Sequence, residues 1–247
     1  MTSYRIDLHN HCQGDPVDSL THTIYEHIDQ AKKVGLDAIA ITWHRRVCSD
    51  EAAFAYARER GMLVIPGMEA EIGGKHLVVL GLRVGDLPGQ TTWDEVRALR
   101  ARKPGVTVMA PHPFYPHPCC LNRRINEAPD CIDLVEWCAL HVNWLPSRIS
   151  PNLRAARWAH QHGKTLVACS DAHSPAAIGR SPSTVKATAL TEEAILKAAR
   201  AGHVSFPRHS LETGHFLLRT TEVIVSQPRQ VARWLTGKHR REGAAHR

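Results

Sequence analysis

Two histidines, His9 and His11, stand two residues apart at the end of the first apolar run, in Asp7-Leu8-His9-Asn10-His11. If that run is a strand, alternate side chains share a face and the two imidazoles point the same way. Neutral imidazoles on one face are good ligands for zinc, manganese or iron. A single His-x-His pair carries little weight alone. Its weight comes from recurrence: His44 follows the apolar run 37–42, Glu69 follows 62–65 and a Pro66-Gly67 step, His112 follows 106–110, and Asp171 and His173 follow 165–168. Asp171-x-His173 repeats the spacing of His9-x-His11, and His76 opens the apolar run 77–82. Glu69, after what reads as a sharp Pro-Gly turn, is a carboxylate able to bridge two ions. Several imidazoles with two or three carboxylates suit a centre of two or three divalent ions. Closely spaced cations make water acidic enough to attack near neutral pH, and they stabilise an oxyanion or a transferring phosphoryl group.

The elements that must position these residues alternate along the chain. Residues 17–34 read as a helix, with Leu20, Ile24, Ile28, Ala31 and Val34 at helical spacing and Gly35 as its stop. Asp50 caps a second helix running to Arg60 and closed by Gly61. Gly73-Gly74 turns the chain into the strand that His76 opens. Thr92-x-x-Glu95 is a capping box for a helix to about Arg102. Residues 132–135 form a strand that ends in Glu136. Ser150-Pro151 opens a helix to His162, and a last strand–helix pair spans 184–201, with Thr191 as cap and Gly202 as stop. Strands alternating with helices at this spacing predict a parallel α/β barrel, whose chemistry sits at the C-terminal strand ends. Most of the residues singled out above fall at or just after such ends.

The chain has 247 residues, enough for one large domain with a substantial core. No run of about 18 apolar residues occurs, so no membrane span is expected. The start shows no signal-peptide pattern. Seven cysteines include no C-x-x-C pair, and the adjacent Cys119-Cys120 have poor geometry for a disulfide. Reduced thiols and a cytoplasmic location are the expectation. The net charge is +7, of which residues 228–247 carry +5. That basic tail could touch nucleic acid, but a solvated terminus is the preferred reading. Residues 1–210 are expected to form the barrel, and residues 211–247 an extension packed on its outside and ending in the tail.

These stretches together resemble the PHP (polymerase and histidinol phosphatase) family, from Arg5 to about Phe206. The matching stretches are residues 7–11, 35–44 (GLDAIAITWH), 65–69 (IPGME), 76–81 (HLVVLG), 110–113 (APHP) and 169–173 (CSDAH). The resemblance implies a distorted (β/α)7 barrel and a cluster of two or three metal ions, zinc, manganese or iron. By motif, one ion would take His9, His11, Glu69 and Asp171. A second would share Glu69 and use His76 and His112. A third would use Asp15, His44 and His173. The chain departs from the family in two places. The stretch Cys12-Gln13-Gly14-Asp15-Pro16 is altered, and Trp43 stands where the family has an aspartate that orients a ligand.

The expected function is metal-dependent hydrolysis of small phosphomonoesters, such as nucleotide, sugar or amino-alcohol phosphates, by a metal-activated hydroxide. Glu69, Asp171 and His173 are the catalytic candidates, and Asp171 or a neighbouring histidine would protonate the leaving group. Arg45 and Arg46 after His44, and above all Arg180 in the loop leaving His173, are the candidate phosphate contacts. Glu136 is expected to orient ligands or substrate rather than bind metal. Trp43, Phe114, Tyr115 and Trp137 would either wall a pocket or lie in the core. The other readings are hydrolysis of an amide-type bond, a nuclease or DNA-repair accessory guided by the basic tail, and a non-catalytic metal-binding protein.

Overall fold

The computed structural model describes residues 1–142 and 145–208. The tail charge, the expected extension from residue 211 and the apolar stretches within it lie outside the described residues. The element order is β1 (Thr2–Asp7), α1 (Ile24–Lys33), β2 (Ala38–Ile41), α2 (Glu51–Glu59), β3 (Leu63–Ile72), β4 (Lys75–Leu80), β5 (Gln90–Thr91), α3 (Trp93–Arg102), β6 (Thr107–Ala110), β7 (Leu134–Cys138), α4 (Pro151–Gln161), β8 (Thr165–Cys169), β9 (Ser183–Ala187), α5 (Glu192–Arg200) and β10 (Val204–Ser205).

The strands form one sheet in the order β10-β9-β1-β2-β3-β4-β6-β7-β8, with β5 added to β3. The sheet curls into a nearly closed barrel. At the seam Ser183 spans the gap between β8 and β9: its Oγ accepts from the Ala168 N–H at 2.8 Å and donates to the Ala168 carbonyl at 3.1 Å. Beside it the buried Asp7 carboxylate accepts from the N–H groups of Ser170 and Gly179. Alternate residues of successive strands, among them Ile6, Ala38, Ile65, Val78, Met109, Leu134, Val167 and Val185, share one buried cluster, to which α5 adds Ile195 and Leu196. The opposite faces pack on the helices, with Ile39 and Ile41 against α1 and α2, and Val79, Val108 and Val135 against α3 and α4. Period-two alternation then fixes where the site residues point. Glu69 continues the Ile65 row, Glu136 the Leu134 row and His76 the Val78 row.

Four sequence expectations are corrected. The barrel is mixed rather than parallel, because β4 runs antiparallel to β3 and β6, and β9 runs antiparallel to β1. The Gly73-Gly74 step, with φ of +53° and +72°, is the turn expected from the sequence, and it makes β3 and β4 a tight antiparallel hairpin. Pro66-Gly67 is no turn; it lies inside β3, where Pro66 stands opposite Ile41 of β2 and Gly67 opposite Leu80 of β4. A Cβ on Gly67 would stand 3.0 Å from the Leu80 side chain and 3.1 Å from the Val79 carbonyl, so only glycine lets β4 approach so closely. The first helix begins at Ile24, not near Val17, because a capping box at Thr23 and Glu26 starts it there. Residues 12–22 instead form a loop that brings two carboxylates to the barrel mouth. Last, Glu136 is interior to β7 rather than at its end.

Among the described residues no helix is long and apolar enough to cross a membrane. All seven cysteines are unpaired.

Candidate metal centre

His9 and His11 leave the end of β1 in an extended path held on both sides. The His11 N–H donates to the Ala172 carbonyl at 3.0 Å, and the Thr42 N–H to the Asn10 carbonyl at 2.9 Å. The Asn10 side-chain amide donates to the carbonyls of Asp7 and Ala40. The loops after β1, β2 and β8 are thereby fixed to one another. His44 lies beyond β2, where the Arg45 N–H donates to the Glu69 carbonyl at 2.8 Å. Three non-glycine residues at this mouth, Arg45, His112 and Asp171, have φ of +57°, +29° and +47°. Such backbone costs on the order of 1–3 kcal/mol per residue and persists where the surroundings over-determine it.

Glu69 lies at the centre. Its Oε2 stands 3.4, 3.3 and 3.1 Å from Nε2 of His9, His11 and His44. Its Oε1 stands 2.7 Å from His76 Nδ1 and 3.3 Å from His112 Nε2. Asp171 Oδ1 completes the first group, 3.4 and 3.5 Å from Nε2 of His9 and His11. His173 Nε2 faces Asp18 Oδ2 at 2.9 Å, and His44 Nδ1 lies 3.5 Å from the same oxygen. The structure therefore gathers His9, His11, His44, Glu69, His76, His112, Asp171 and His173 at one end of the barrel. Asp15 lies there too.

The far nitrogen of most of these imidazoles is already committed. His9 Nδ1 is 3.1 Å from Glu136 Oε2, while Nδ1 of His11 and His44 stand 2.9 and 3.0 Å from Asp15 Oδ2. His173 Nδ1 faces the Asp171 carbonyl at 2.9 Å, and His112 Nδ1 faces Cys120 Sγ at 3.3 Å. A carboxylate or carbonyl only accepts, so once His9, His11, His44 and His173 are neutral, as a bound ion requires, the proton sits on Nδ1 and the lone pair on Nε2 is turned inward. Asp15 has no oxygen to spare, because Oδ1 accepts from the Val17 and Asp18 N–H groups and Oδ2 also accepts from the His44 N–H.

Buried polar atoms without a hydrogen bond cost about 1–3 kcal/mol each. Here they include Nε2 of His9, His11 and His44, His76 Nδ1, Glu69 Oε1, Asp171 Oδ1 and both Asp18 oxygens. These atoms converge, and overlapping sets of three or four nitrogen and oxygen donors lie within 4.8 Å of one another. Such a donor set fits divalent cations. The electrostatics agree. Burial raises the Glu69 carboxyl, but the imidazoles of His76, His44 and His9 outweigh it and hold the group well below the usual range. Burial opposes a proton on His9, yet Asp171, Glu69 and Glu136 carry its pKa up to about 10. The carboxylates call for positive charge, whether from protons or from ions.

Trp43 binds the altered loop. Its indole N–H points to Cys12 Sγ at 3.3 Å, Gly14 packs on its ring, and Arg46 lies over it at 5.0 Å while donating to the Gly14 carbonyl. The orienting carboxylate expected before His44 is supplied instead by Asp15, from across the mouth. The arginines singled out in the sequence have partners of their own: Arg45 pairs with Glu71 at 3.3 Å, Arg46 holds the Trp43 loop, and Arg180 Nε donates to the Ala176 carbonyl at 2.6 Å. None of these partners belongs to the histidine cluster. The sequence reading missed Asp18, because a helix from residue 17 would have turned it into an ordinary first-turn acid. The Thr23-x-x-Glu26 capping box was the signal against that helix. Trp137 is buried core, with the His141 ring edge-on to it and the Phe206 ring tilted against it.

Residues 150–204 match the family model described as PHP-associated. A 68-residue stretch is 40% identical to the PolC-type DNA polymerase III of Bacillus subtilis, covering 28% of this chain and 5% of that protein. In fold, the chain is similar to a two-domain protein from Bacteroides vulgatus containing a predicted PHP-like metal-dependent phosphoesterase, with a TM-score of 0.61 and 19% identity over 84% of this chain and 65% of that one. It is also similar to a lesion-specific endonuclease Q from Pyrococcus furiosus, with a TM-score of 0.58 and 16% identity over 83% of this chain and 58% of that one. The chain thus spans less than two thirds of the length of each of these proteins.

Proposed function

We propose that the chain, whose barrel is similar in fold to PHP-like proteins, is a metal-dependent hydrolase of the PHP type whose reaction is hydrolysis of small phosphomonoesters. The observation that carries the reading is Glu69, whose two oxygens face separate sets of imidazole nitrogens, of which Nε2 of His9, His11 and His44 and Nδ1 of His76 are buried without a hydrogen bond. Divalent ions held there would acidify water and offset negative charge on the ester oxygens. We assign His9, His11, Glu69 and Asp171 to one ion, Glu69, His76 and His112 to a second, and His44, His173 and Asp18 to a third. Asp15, the ligand expected for that third ion, is reassigned as a positioning residue with Glu136, because protein N–H groups and imidazoles already use its oxygens. Zinc, manganese and iron all suit this donor set.

The cluster meets solvent on one side. The side chains of Asp171 and His112 are 18% and 11% exposed, whereas those of His9, His11 and Glu69 are at most 2%. An ester reaching the centre approaches over this edge. Arg180, in the loop that follows His173, remains the proposed phosphate contact. The test is phosphate release by the metal-loaded protein from a panel of nucleotide, sugar and amino-alcohol phosphates. Release that disappears in Asp171→Ala and Glu69→Gln, with both variants folded by circular dichroism, supports the reading. Wild-type protein at full metal content that releases no phosphate from any member would sink it.

A second reading, cleavage of phosphodiester bonds in DNA, rests on the likeness to the endonuclease. A lesion-bearing duplex in the same panel separates the two. Preference for the duplex, weakening steeply with salt, would favour the nuclease.

A further inference from the structure

We propose that Cys119 is a thiolate ligand of the ion assigned to His76 and His112, which makes that position a soft site. The inference rests on the metal reading above and adds a residue that reading does not use. Ligand atoms of His76, His112 and Cys119 lie within 4.8 Å of one another, and Cys119 is the one sulfur in such groupings among the described residues. His76 independently points to a ligand here: it is 4% exposed, and its Nδ1 has no hydrogen bond. Cys119 is also held in place. The His76 N–H donates to the Cys119 carbonyl at 2.7 Å, the neighbouring Lys75 ammonium to the Pro118 carbonyl, and the Cys120 N–H to the His117 carbonyl at 3.1 Å. The segment carrying the thiol is thus stitched to the start of β4, next to the histidine it would join.

The chemistry follows from the donor types. A set of two imidazoles, one carboxylate oxygen and one thiolate suits tetrahedral zinc and disfavours manganese or magnesium, which prefer all-oxygen surroundings. The thiol loses its proton to solvent as the ion binds. Cys120 has a different role: its sulfur faces Nδ1 of His112, on the side of the ring away from Glu69.

The test uses cobalt(II) as a coloured substitute for zinc in the full chain, with a non-thiol reductant. A thiolate on cobalt gives a charge-transfer band in the near ultraviolet that imidazoles and carboxylates do not. The band should be present in the wild type, be kept in Cys120→Ser and be lost in Cys119→Ser, with cobalt still bound by the other ligands. In the unaltered protein, zinc should slow alkylation of Cys119, followed by peptide mass spectrometry. Full cobalt content without the band, a band that survives Cys119→Ser, or alkylation indifferent to zinc overturns the proposal and leaves the metal centre standing. A wild-type chain that binds no cobalt overturns both.

Discussion

One oxygen of Glu136 does two jobs: Oε2 receives His9 Nδ1 at 3.1 Å and the His112 N–H at 2.9 Å. It therefore aims an imidazole of the first proposed ion and the strained backbone that presents a ligand of the second. Glu136→Gln keeps the shape and an oxygen to accept both bonds but removes the negative charge beside His9. Metal affinity, read by competition with a coloured chelator, should fall about 10- to 100-fold, as for other residues that orient a metal-bound histidine. Unchanged affinity would remove Glu136 from the centre. The same cluster sets a pH dependence. In the metal-free chain the His9 pKa rises from 6.5 to about 10, and His11 and His112 are raised too, their neighbouring carboxylates and, for His112, Cys120 outweighing burial. A raised imidazole adds stability that is fully present below its unfolded pKa and is lost as pH rises through the folded value. The metal-free protein should therefore melt at progressively lower temperature from about pH 6.5 to 10. Metal affinity should climb over the same window, because bound protons must leave first. Thermal melts and metal titrations at several pH values check both slopes, and a metal-free melting temperature that rises with pH would contradict the first.

At the scale of elements, the barrel closes through a side chain. β8 and β9 have no ladder between them in the sheet order, and Ser183 Oγ satisfies both backbone groups of Ala168. Ser183→Ala leaves that buried N–H and carbonyl unpaired, at a cost of about 1–3 kcal/mol. Urea denaturation should show the loss as a lower midpoint with an unchanged slope. A change within about 0.5 kcal/mol, the range of an ordinary surface substitution, would mean that the seam is held elsewhere. The start of α1 matters in the same way. Its capping box at Thr23 and Glu26 ends the preceding loop, and that loop delivers Asp15 and Asp18 to the mouth.

For the whole molecule, the proposed ligands come from β3 and β4 and from the loops after β1, β2, β6 and β8, so bound ions would tie the sheet together across its open end. Ligand binding to the folded state alone stabilises it by about 2.7 kcal/mol at a hundredfold excess over Kd. Stripping with a chelator should lower the melting temperature, and readdition of zinc or manganese should restore it. Identical melts before and after verified stripping would show that the barrel does not depend on the centre.

Much of this was legible in the residues alone. Apolar periodicity marked β1, β2, β6, β8 and most helices, and histidines or acids placed just after those runs had to gather at one end of any barrel they formed. That local logic pointed to His9, His11, His44, His112, Asp171 and His173, whereas Glu69 lies inside β3 and reaches the same end through the alternation of that strand. Strand direction was decided only in three dimensions, because period two assigns a face and not a partner. The antiparallel β4 brings His76 to the mouth from the start of its strand. The division of labour between Asp15 and Asp18 was also a tertiary matter. Two acids three residues apart look alike in sequence, and only the path of their loop gives one to the backbone and imidazole N–H groups and leaves the other facing His173. Trp43 shows the same limit. A missing acid can be read from the chain, but a carboxylate supplied from another loop appears only once the chain is folded.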